Sequence, residues 1–199
     1  MADISVTTAR KLHSADPAEA APGVAPAAQG GAKDSSAKEP CWDLIELLFF
    51  AYRDFVSDPD EVLAKLGFGR AHHRVLHFVN RNPGIKVADL LDILKITKQS
   101  LGRVLKQLID EGYIVQREGA HDRRQRLLHV SAAGEALALK LAGLQTERIA
   151  RVLAELGPGA REAARRFLAG MIDHDDRDHV LRLIADADRA RLRGRDRGP

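Results

Sequence analysis

The chain is poor in cysteine and in aromatic side chains, and it has no long apolar run. Cys41 is its one cysteine, which excludes an intrachain disulfide framework and fits a reducing cytoplasm. Aromatic residues make up only 5%, so we expect no stacking platform for a cofactor and no cofactor. The longest apolar stretch, around Leu44 to Tyr52, contains Glu46 and is too short to span a bilayer. The N-terminus has no apolar signal segment, and we expect a cytoplasmic protein.

Charge is unevenly distributed along the 199 residues, although the net charge is only +3. Residues 1–40 carry four basic and five acidic side chains, and 189–199 carry five arginines against one aspartate. The stretch between them is balanced, with 22 of each sign. The positive net charge therefore reflects the C-terminal end and is weak evidence for nucleic-acid binding, so the placement of single cations must decide.

Composition and periodicity divide the chain into five segments. The first is rich in Ala, Pro, Gly, Ser and Lys and cannot bury enough apolar surface to order itself. We predict a disordered N-terminal tail (1–39), a first helix (40–60), a central domain (61–135), C-terminal helices (136–190) and a basic tail (191–199).

The first helix is apolar over more than half of its circumference. It carries one stripe at helical spacing, which two further aromatic residues widen: Cys41, Leu44, Ile45, Leu48, Tyr52 and Phe55, with Trp42 and Phe49. Such a helix needs cover from its own domain and from a partner subunit. We expect it to stop at the Ser-Asp-Pro-Asp sequence of 57–60, before a second helix at about 69–80 that Pro83 and Gly84 end.

The next two helices have the pattern of a helix-turn-helix. A short helix in "VADLLDILKI" precedes Thr97, a good N-cap for the helix that follows, and Gly112 closes that helix. The second helix has an apolar stripe at i, i+3, i+4 and i+7, formed by Leu101, Val104, Leu105 and Leu108. Its opposite face is polar and basic, as in a helix that enters the major groove.

Two short strand-like runs, "YIVQRE" and "RLLHV", flank a basic loop directly after that helix. We interpret 118–126 as the tip of a hairpin wing that reaches the DNA backbone or the minor groove. Asp122 can hold the guanidinium of Arg124 in one orientation through a bidentate pair. The alternative interpretation is an ordinary solvated hairpin.

The predicted fold is mainly α with a small β-hairpin wing. It consists of a winged helix-turn-helix DNA-binding domain (61–135) between a dimerisation helix (40–60) and C-terminal dimerisation helices (136–190). Gln99, Ser100 and Arg103 are the candidates for base contacts. The candidates for phosphate or minor-groove contacts are Lys98, Lys106, Arg123 and Arg124, with Asp122 orienting the wing.

The segment "LKITKQSLGRVLKQLIDEGYIVQRE…DRRQRLLHVSAAG" resembles the winged helix of the MarR family of multiple antibiotic resistance regulators. The resemblance covers about 41–156 and includes the Gly112 turn, the "DRR" wing and the pattern of Val130, Ser131 and Gly134. It implies an obligate homodimer whose first and last helices interlock. It also implies a regulator, expected to be a repressor, that binds double-stranded DNA at a palindromic operator.

A small anionic, partly aromatic effector is expected to release the DNA. The candidate pocket lies where the second helix joins the dimer base to the winged helix, and its lining is Trp42, Tyr52, Arg70, His72 and Leu76. His72 lies on the apolar face of its helix, so a packing role is as consistent with the pattern as a ligand contact.

Other functions fit the sequence less well. Cys41 could be a peroxide-sensing thiol, but the second helix lacks the tyrosines of such sensors. Urate-responsive relatives have an arginine one turn after a tryptophan of the first helix, and Glu46 stands at that position here. His73 and His77 have metal-pair spacing without further histidines beyond the wing, and "DHDDRDH" (173–179) fits a solvated helix junction better than a cation site, so no metal is expected. The chain has no nucleophile–base pair or phosphate loop, so no enzyme is expected. A helical scaffold that binds only protein would not explain the wing.

Overall fold

The computed structural model describes residues 39–119 and 125–195. In chain order its elements are α1 (Trp42–Ala64), α2 (Arg70–Arg81), β1 (Ile85–Lys86), α3 (Val87–Leu94), α4 (Lys98–Asp110), β2 (Ile114–Glu118), β3 (Arg126–Val130), α5 (Ala132–Leu156), α6 (Ala160–Gly170) and α7 (His174–Arg195). The mainly helical fold with a small antiparallel sheet confirms the predicted class. The predicted disordered tail (1–39) falls almost wholly outside the described residues.

The core lies between the end of α1, α2, α3, α4, the sheet and the first half of α5. Its innermost side chains, which have no exposed surface, are Leu63, Val75, Val79, Leu90, Leu108, Leu128 and Leu141. Apolar residues from separate elements meet here because each helix presents one apolar stripe at helical spacing. At about 1.5–3 kcal/mol per buried side chain, this burial holds the elements in place.

The sheet contains a strand that the sequence did not suggest. Its order is β1-β3-β2, and the two-residue β1 pairs with β3 through Ile85 opposite Leu128. Two residues are too few to show the alternation of apolar and polar side chains that is typical of a strand. β1 is therefore recognised only by its pairing with β3. β2 and β3 pair antiparallel from Ile114 opposite Val130 to Glu118 opposite Arg126, which confirms the predicted hairpin.

The predicted break at 57–60 is wrong, because α1 continues through it to Ala64. Pro59 lies inside the helix and is buried, and the removal of one helical hydrogen bond by proline ordinarily costs about 3 kcal/mol or more. Packing offsets that cost, since Val56 and Leu63 are buried on the same half of the helix. The Arg148–Asp58 ion pair, 3.0 Å long, also ties this half to α5.

The acidic segment "DHDDRDH" also differs from its prediction. It was expected to interrupt the C-terminal helices, but α7 begins at His174, within the segment, and the break itself is Met171 to Asp173. Asp175 and Asp176 occupy the first turn, where carboxylates are favoured by the helix dipole. The acidic cluster therefore starts a helix instead of ending one.

Candidate nucleic-acid interface

The ends of α4 are fixed by its own sequence. At the start, the Thr97 hydroxyl accepts a hydrogen bond from the Ser100 amide at 3.2 Å. At the end, Gly112 takes a φ of +78°. The Tyr113 and Gly112 amides bond to the Leu108 and Ile109 carbonyls at 2.8 and 3.0 Å. This pair of hydrogen bonds forms a Schellman cap. The predicted N-cap and glycine C-cap are both confirmed.

Helix α4 is divided into a buried and an exposed face. Leu101, Val104, Leu105 and Leu108 are all buried in the core. The five candidate DNA-contacting residues of this helix are all exposed: Lys98, Gln99, Ser100, Arg103 and Lys106. The core therefore holds α4 rigidly from behind while its polar face stays open, as a helix that inserts into a groove requires.

The exposed polar residues differ in how far they are already engaged. The Ser100 hydroxyl accepts a hydrogen bond from the Thr97 hydroxyl at 2.9 Å, and the Lys106 ammonium pairs with Asp110 one turn later. An exposed pair of this kind is worth at most about 1 kcal/mol, so a phosphate can displace it. The side chains of Gln99 and Arg103 make no hydrogen bond to another residue within the described ranges.

The wing extends the same surface, and its base is ordered by a cross-strand pair. The Arg126 guanidinium lies 3.1 Å from the Glu118 carboxylate, where the two strands end. Arg117 is an exposed cation on β2. It was not among the predicted interface residues, although the strand that carries it was predicted. Asp122, Arg123 and Arg124 lie outside the described residues, so their contacts stay predictions.

The wing and α5 are fixed to the end of α4 by one serine and one glycine. The Ser131 hydroxyl accepts from the Gly134 amide at 3.0 Å, which caps α5, and donates to the carbonyl of Gly112, just beyond the end of α4, at 2.6 Å. A Cβ on Gly134 would lie 2.0 Å from the Tyr113 carbonyl oxygen. Only glycine allows α5 to start this close to β2, which explains the Ser131–Gly134 pattern seen in the sequence.

His72 connects the start of α2 to α4. Its Nδ1 accepts from the Gly69 amide at 3.1 Å, so its proton lies on Nε2, which donates to Gln107 Oε1 at 2.9 Å. The ring also stacks on Phe68, with centroids 4.8 Å apart. Both ring nitrogens and one face are thus used within the protein, which corresponds to the packing role considered for His72.

The other candidate pocket residues are only partly brought together. The Arg70 guanidinium lies over the Tyr52 ring at 5.9 Å and pairs with Asp60 at 2.7 Å. Leu76 is buried in the core, whereas Trp42 is 63% exposed. Trp42 precedes Tyr52 by ten residues, about 15 Å along the helix axis, so the two aromatic rings do not share one wall within this chain.

The histidines considered as a metal pair lie half-buried on α2. Burial lowers the pKa of His73 and, together with the nearby His73 and Arg81 charges, that of His77. Within residues 39–119 and 125–195, no group of three or more His, Cys, Asp or Glu side chains is arranged to hold a metal ion. Cys41 is exposed just before α1.

Large apolar side chains remain exposed at both ends of the described chain. The first half of α1 exposes Trp42, Leu44, Ile45, Leu47, Leu48, Phe49, Phe50 and Tyr52. In α6, which buries no residue, Phe167 and Leu168 are 53% and 57% exposed. A cavity of about 370 Å³ between α5, α6 and α7 is lined by Ile149, Leu153, Leu168 and other mostly apolar residues. We call these surfaces together the terminal apolar faces.

No helix in the described part of the chain has the length and apolar character needed to cross a membrane. A sequence model of the MarR family matches residues 66–125, from just before α2 into the wing. The HTH-type transcriptional regulator PetP of Rhodobacter capsulatus is 43% identical over 144 residues, which cover 72% of this chain and 86% of the relative.

Two solved structures share the fold at low sequence identity. FabT of Streptococcus pneumoniae in complex with DNA has a TM-score of 0.59 at 14% identity, covering 65% of this chain and 93% of that one. The transcriptional regulator SlyA has a TM-score of 0.57 at 18% identity, covering 69% of this chain and 99% of that one.

Proposed function

Since this chain belongs to the MarR family of transcriptional regulators, we propose that it acts as a homodimeric repressor on a palindromic DNA operator. The observation that carries the proposal is the division of α4 into a fully buried stripe and an exposed polar face. That face projects from a rigid core, and the basic wing follows it directly. The family is one of regulators and not of enzymes.

Within the proposed complex the contacts divide by chemistry. Arg103, Gln99 and Ser100 read base edges in the major groove, because their side chains carry the donors and acceptors that base edges recognise. Lys98 and Lys106 bind phosphates, and Asp122, Arg123 and Arg124 form the wing contact. Half-sites one helical turn apart then match the two α4 helices of a dimer.

Equilibrium binding to a fluorescent operator tests this assignment. Arg103→Ala should relax discrimination at one base position per half-site by about 1–3 kcal/mol. Arg124→Ala should weaken binding to all sequences and reduce the slope of log K against log salt by about one. Arg182→Ala changes an exposed arginine of α7 that lines none of the described cavities and is the control. Unchanged operator affinity and salt dependence in both Arg103→Ala and Arg124→Ala would overturn the proposed interface.

The dimer is supported by the terminal apolar faces. A soluble monomer rarely exposes an apolar surface like that of the first half of α1, and a twofold partner would cover both ends at once. We therefore propose that α1 of one protomer packs against α5, α6 and α7 of the other.

Release by a small anionic, partly aromatic ligand is proposed at the α1–α2 junction, on the part of the predicted pocket that the fold brings together, Tyr52 and Arg70. Tyr52 offers a ring face there, and Arg70 a guanidinium that an acid could share with Asp60. Asp60 Oδ1 is buried and has no hydrogen-bond partner among the described residues, so a ligand hydroxyl could donate to it. The ligand acts only through different affinities for two spacings of the α4 helices.

Titration of salicylate against the protein–operator complex tests the ligand site. Arg70→Gln should abolish release, since it removes the cation that binds the carboxylate. Arg74→Gln changes an exposed arginine one turn along the same helix and should respond as the parent does. No release of the parent by salicylate-like acids, or equal release of parent and Arg70→Gln, would refute this site.

A further inference from the structure

A slot separates α7 from α2, β1 and α3. It consists of two neighbouring cavities of about 470 and 600 Å³, and Asp92, Ile93, His179 and Leu183 line both of them. We call this pair of cavities the α3–α7 slot. Each volume lies in the range of small-molecule sites in proteins.

The floor of the slot is apolar. Ile85 and Ala187 are buried at the end of the slot nearest β1, and Ile93 and Leu183 stand between the two cavities. Phe78 adds an aromatic side chain to the larger cavity. An occupant must therefore have a sizeable apolar body, because a small hydrated ion would leave this surface uncovered.

Carboxylates outnumber cations around the slot. Its acidic residues are Asp89, Asp92, Asp173, Asp176 and Asp186. The two cations, Arg81 and Lys95, are held in ion pairs by Asp188 at 2.6 Å and Asp176 at 3.5 Å. Burial lowers the pKa of His77, so its ring adds no positive charge near neutral pH. Asp186 is likewise paired, with Arg189, which leaves Asp89, Asp92 and Asp173 without an ion pair among the described residues. Their negative charge attracts a cation.

The carboxylates are dispersed along the slot instead of converging on one point. In the described part of the chain, no three acidic or histidine side chains are close enough together to hold a metal ion. A charge on an extended organic molecule fits this arrangement better than a point ion does. Asp92 stands where the two cavities meet and makes no ion pair with another described residue.

We propose that the α3–α7 slot is a binding site for an amphipathic organic cation, with Asp92 as the counter-ion and Ile93 and Leu183 against the apolar body. This site is separate from the proposed acid site at Arg70 and has the opposite charge preference. It does not depend on DNA binding.

The test is isothermal calorimetry on the full-length protein without DNA, with tetraphenylphosphonium as the probe. We expect saturable binding of one cation per protomer. Asp92→Asn should weaken it about tenfold, the effect of losing one charge contact of ordinary strength. Asp178→Asn removes the same charge from α7 outside the slot and should leave the affinity unchanged.

Leu183→Trp fills the slot without changing its charge and should abolish binding. Thermal melts and circular dichroism establish that each variant is folded. Tetraphenylborate has the same shape and the opposite charge, and Asp92→Asn should not weaken any binding that it shows. The proposal is overturned if the parent does not bind tetraphenylphosphonium. Equal weakening by Asp92→Asn and Asp178→Asn, or a folded Leu183→Trp protein that binds as the parent does, would overturn it as well.

Discussion

The winged-helix body and the terminal helices carry similar apolar residues but cover them differently. In the body, Val75, Leu90 and Leu108 have no exposed surface, whereas Phe49 in α1 is 71% exposed and Leu156 at the end of α5 is 68% exposed. One chain is enough to complete the first core. We infer that the second core is completed by another copy of the chain, so the stability of the two regions should depend differently on protein concentration.

The largest effect is expected from placing charge on the exposed stripe of α1. In Leu48→Asp with Phe49→Asp, a dimer would lose four apolar contacts, at about 2 kcal/mol each or about 8 kcal/mol together. Sedimentation velocity at micromolar concentration should show a folded monomer where the parent is a dimer. Glu46→Gln, an exposed polar change on the same helix, should stay dimeric. A double variant that still sediments as a dimer would contradict the assignment.

A second comparison sets a core leucine against an aromatic residue of α6. Leu76→Ala should lower the free energy of unfolding by about 2–5 kcal/mol because it leaves a cavity among fully buried neighbours. Phe167→Ala should act mainly on association, so its cost should shrink as the protein is diluted and monomers appear. Urea unfolding at two protein concentrations measures both. The same concentration dependence for both variants would remove the distinction between the regions.

Two glycines of α5 should respond to the same substitution with opposite changes in stability. Gly134→Ala should destabilise the protein by about 1–3 kcal/mol, because its methyl group would meet the Tyr113 carbonyl. Gly143→Ala meets nothing within 4 Å and should stabilise the protein by about 0.4–1 kcal/mol. Thermal unfolding of the matched pair gives the sign of each effect. A neutral Gly134→Ala would mean that α5 can start elsewhere.

The hydrogen bond between His72 and Gln107 should contribute a smaller, pairwise effect. A double-mutant cycle of His72→Leu and Gln107→Leu is expected to give a coupling free energy of about 0.5–1.5 kcal/mol. His73→Leu with Gln107→Leu is the control, since neither nitrogen of His73 bonds to Gln107 within the described residues. Equal coupling in the two cycles would show that the effect is not this bond.

The pH dependence from His77 should be the smallest effect. Burial keeps its folded pKa below the ordinary 6.5, so the unfolded chain binds more protons as the pH falls. Its contribution to stability is therefore complete above about pH 6.5 and is lost as the pH falls through the folded pKa. In urea titrations at pH 7.5 and 5.5, His77→Gln should lose less stability on acidification than the parent. An identical loss would assign the pH dependence to other groups.

The sequence predicted what is set locally and missed what is set by distant partners. Thr97 and Gly112 were identifiable because a cap needs only neighbouring residues. β1 was missed because its two residues are a strand only beside Leu128. The helix through Pro59 was misjudged since its stability comes from contacts such as Arg148 with Asp58, 90 residues apart in sequence.

In the candidate interface, too, features set by neighbouring residues were predictable and contacts between distant residues were not. Helical spacing was enough to separate the exposed Arg103 from the buried Leu101 and Val104. The engagement of His72 by Gln107 and of Arg70 by Asp60 could not be read from periodicity, because each joins different helices. The α3–α7 slot was not predictable either, since the carboxylates around it come from α3 and from residues 173–186, about 90 residues further along the chain.

The Ser131 hydroxyl that joins the end of α4 to the start of α5 has a mechanical consequence. Helix α5 has 25 residues and is about 37 Å long, and its near end is bonded to the Gly112 carbonyl. The helix can therefore act as a lever whose near end is attached to α4, the helix proposed to enter the major groove. A tilt of about 5° applied at either end corresponds to roughly 3 Å of travel at the other, from that length. In the proposed dimer the two α5 helices would tilt in opposite directions. A small rotation between the subunits would then change the distance between the two α4 helices by twice the displacement of one of them.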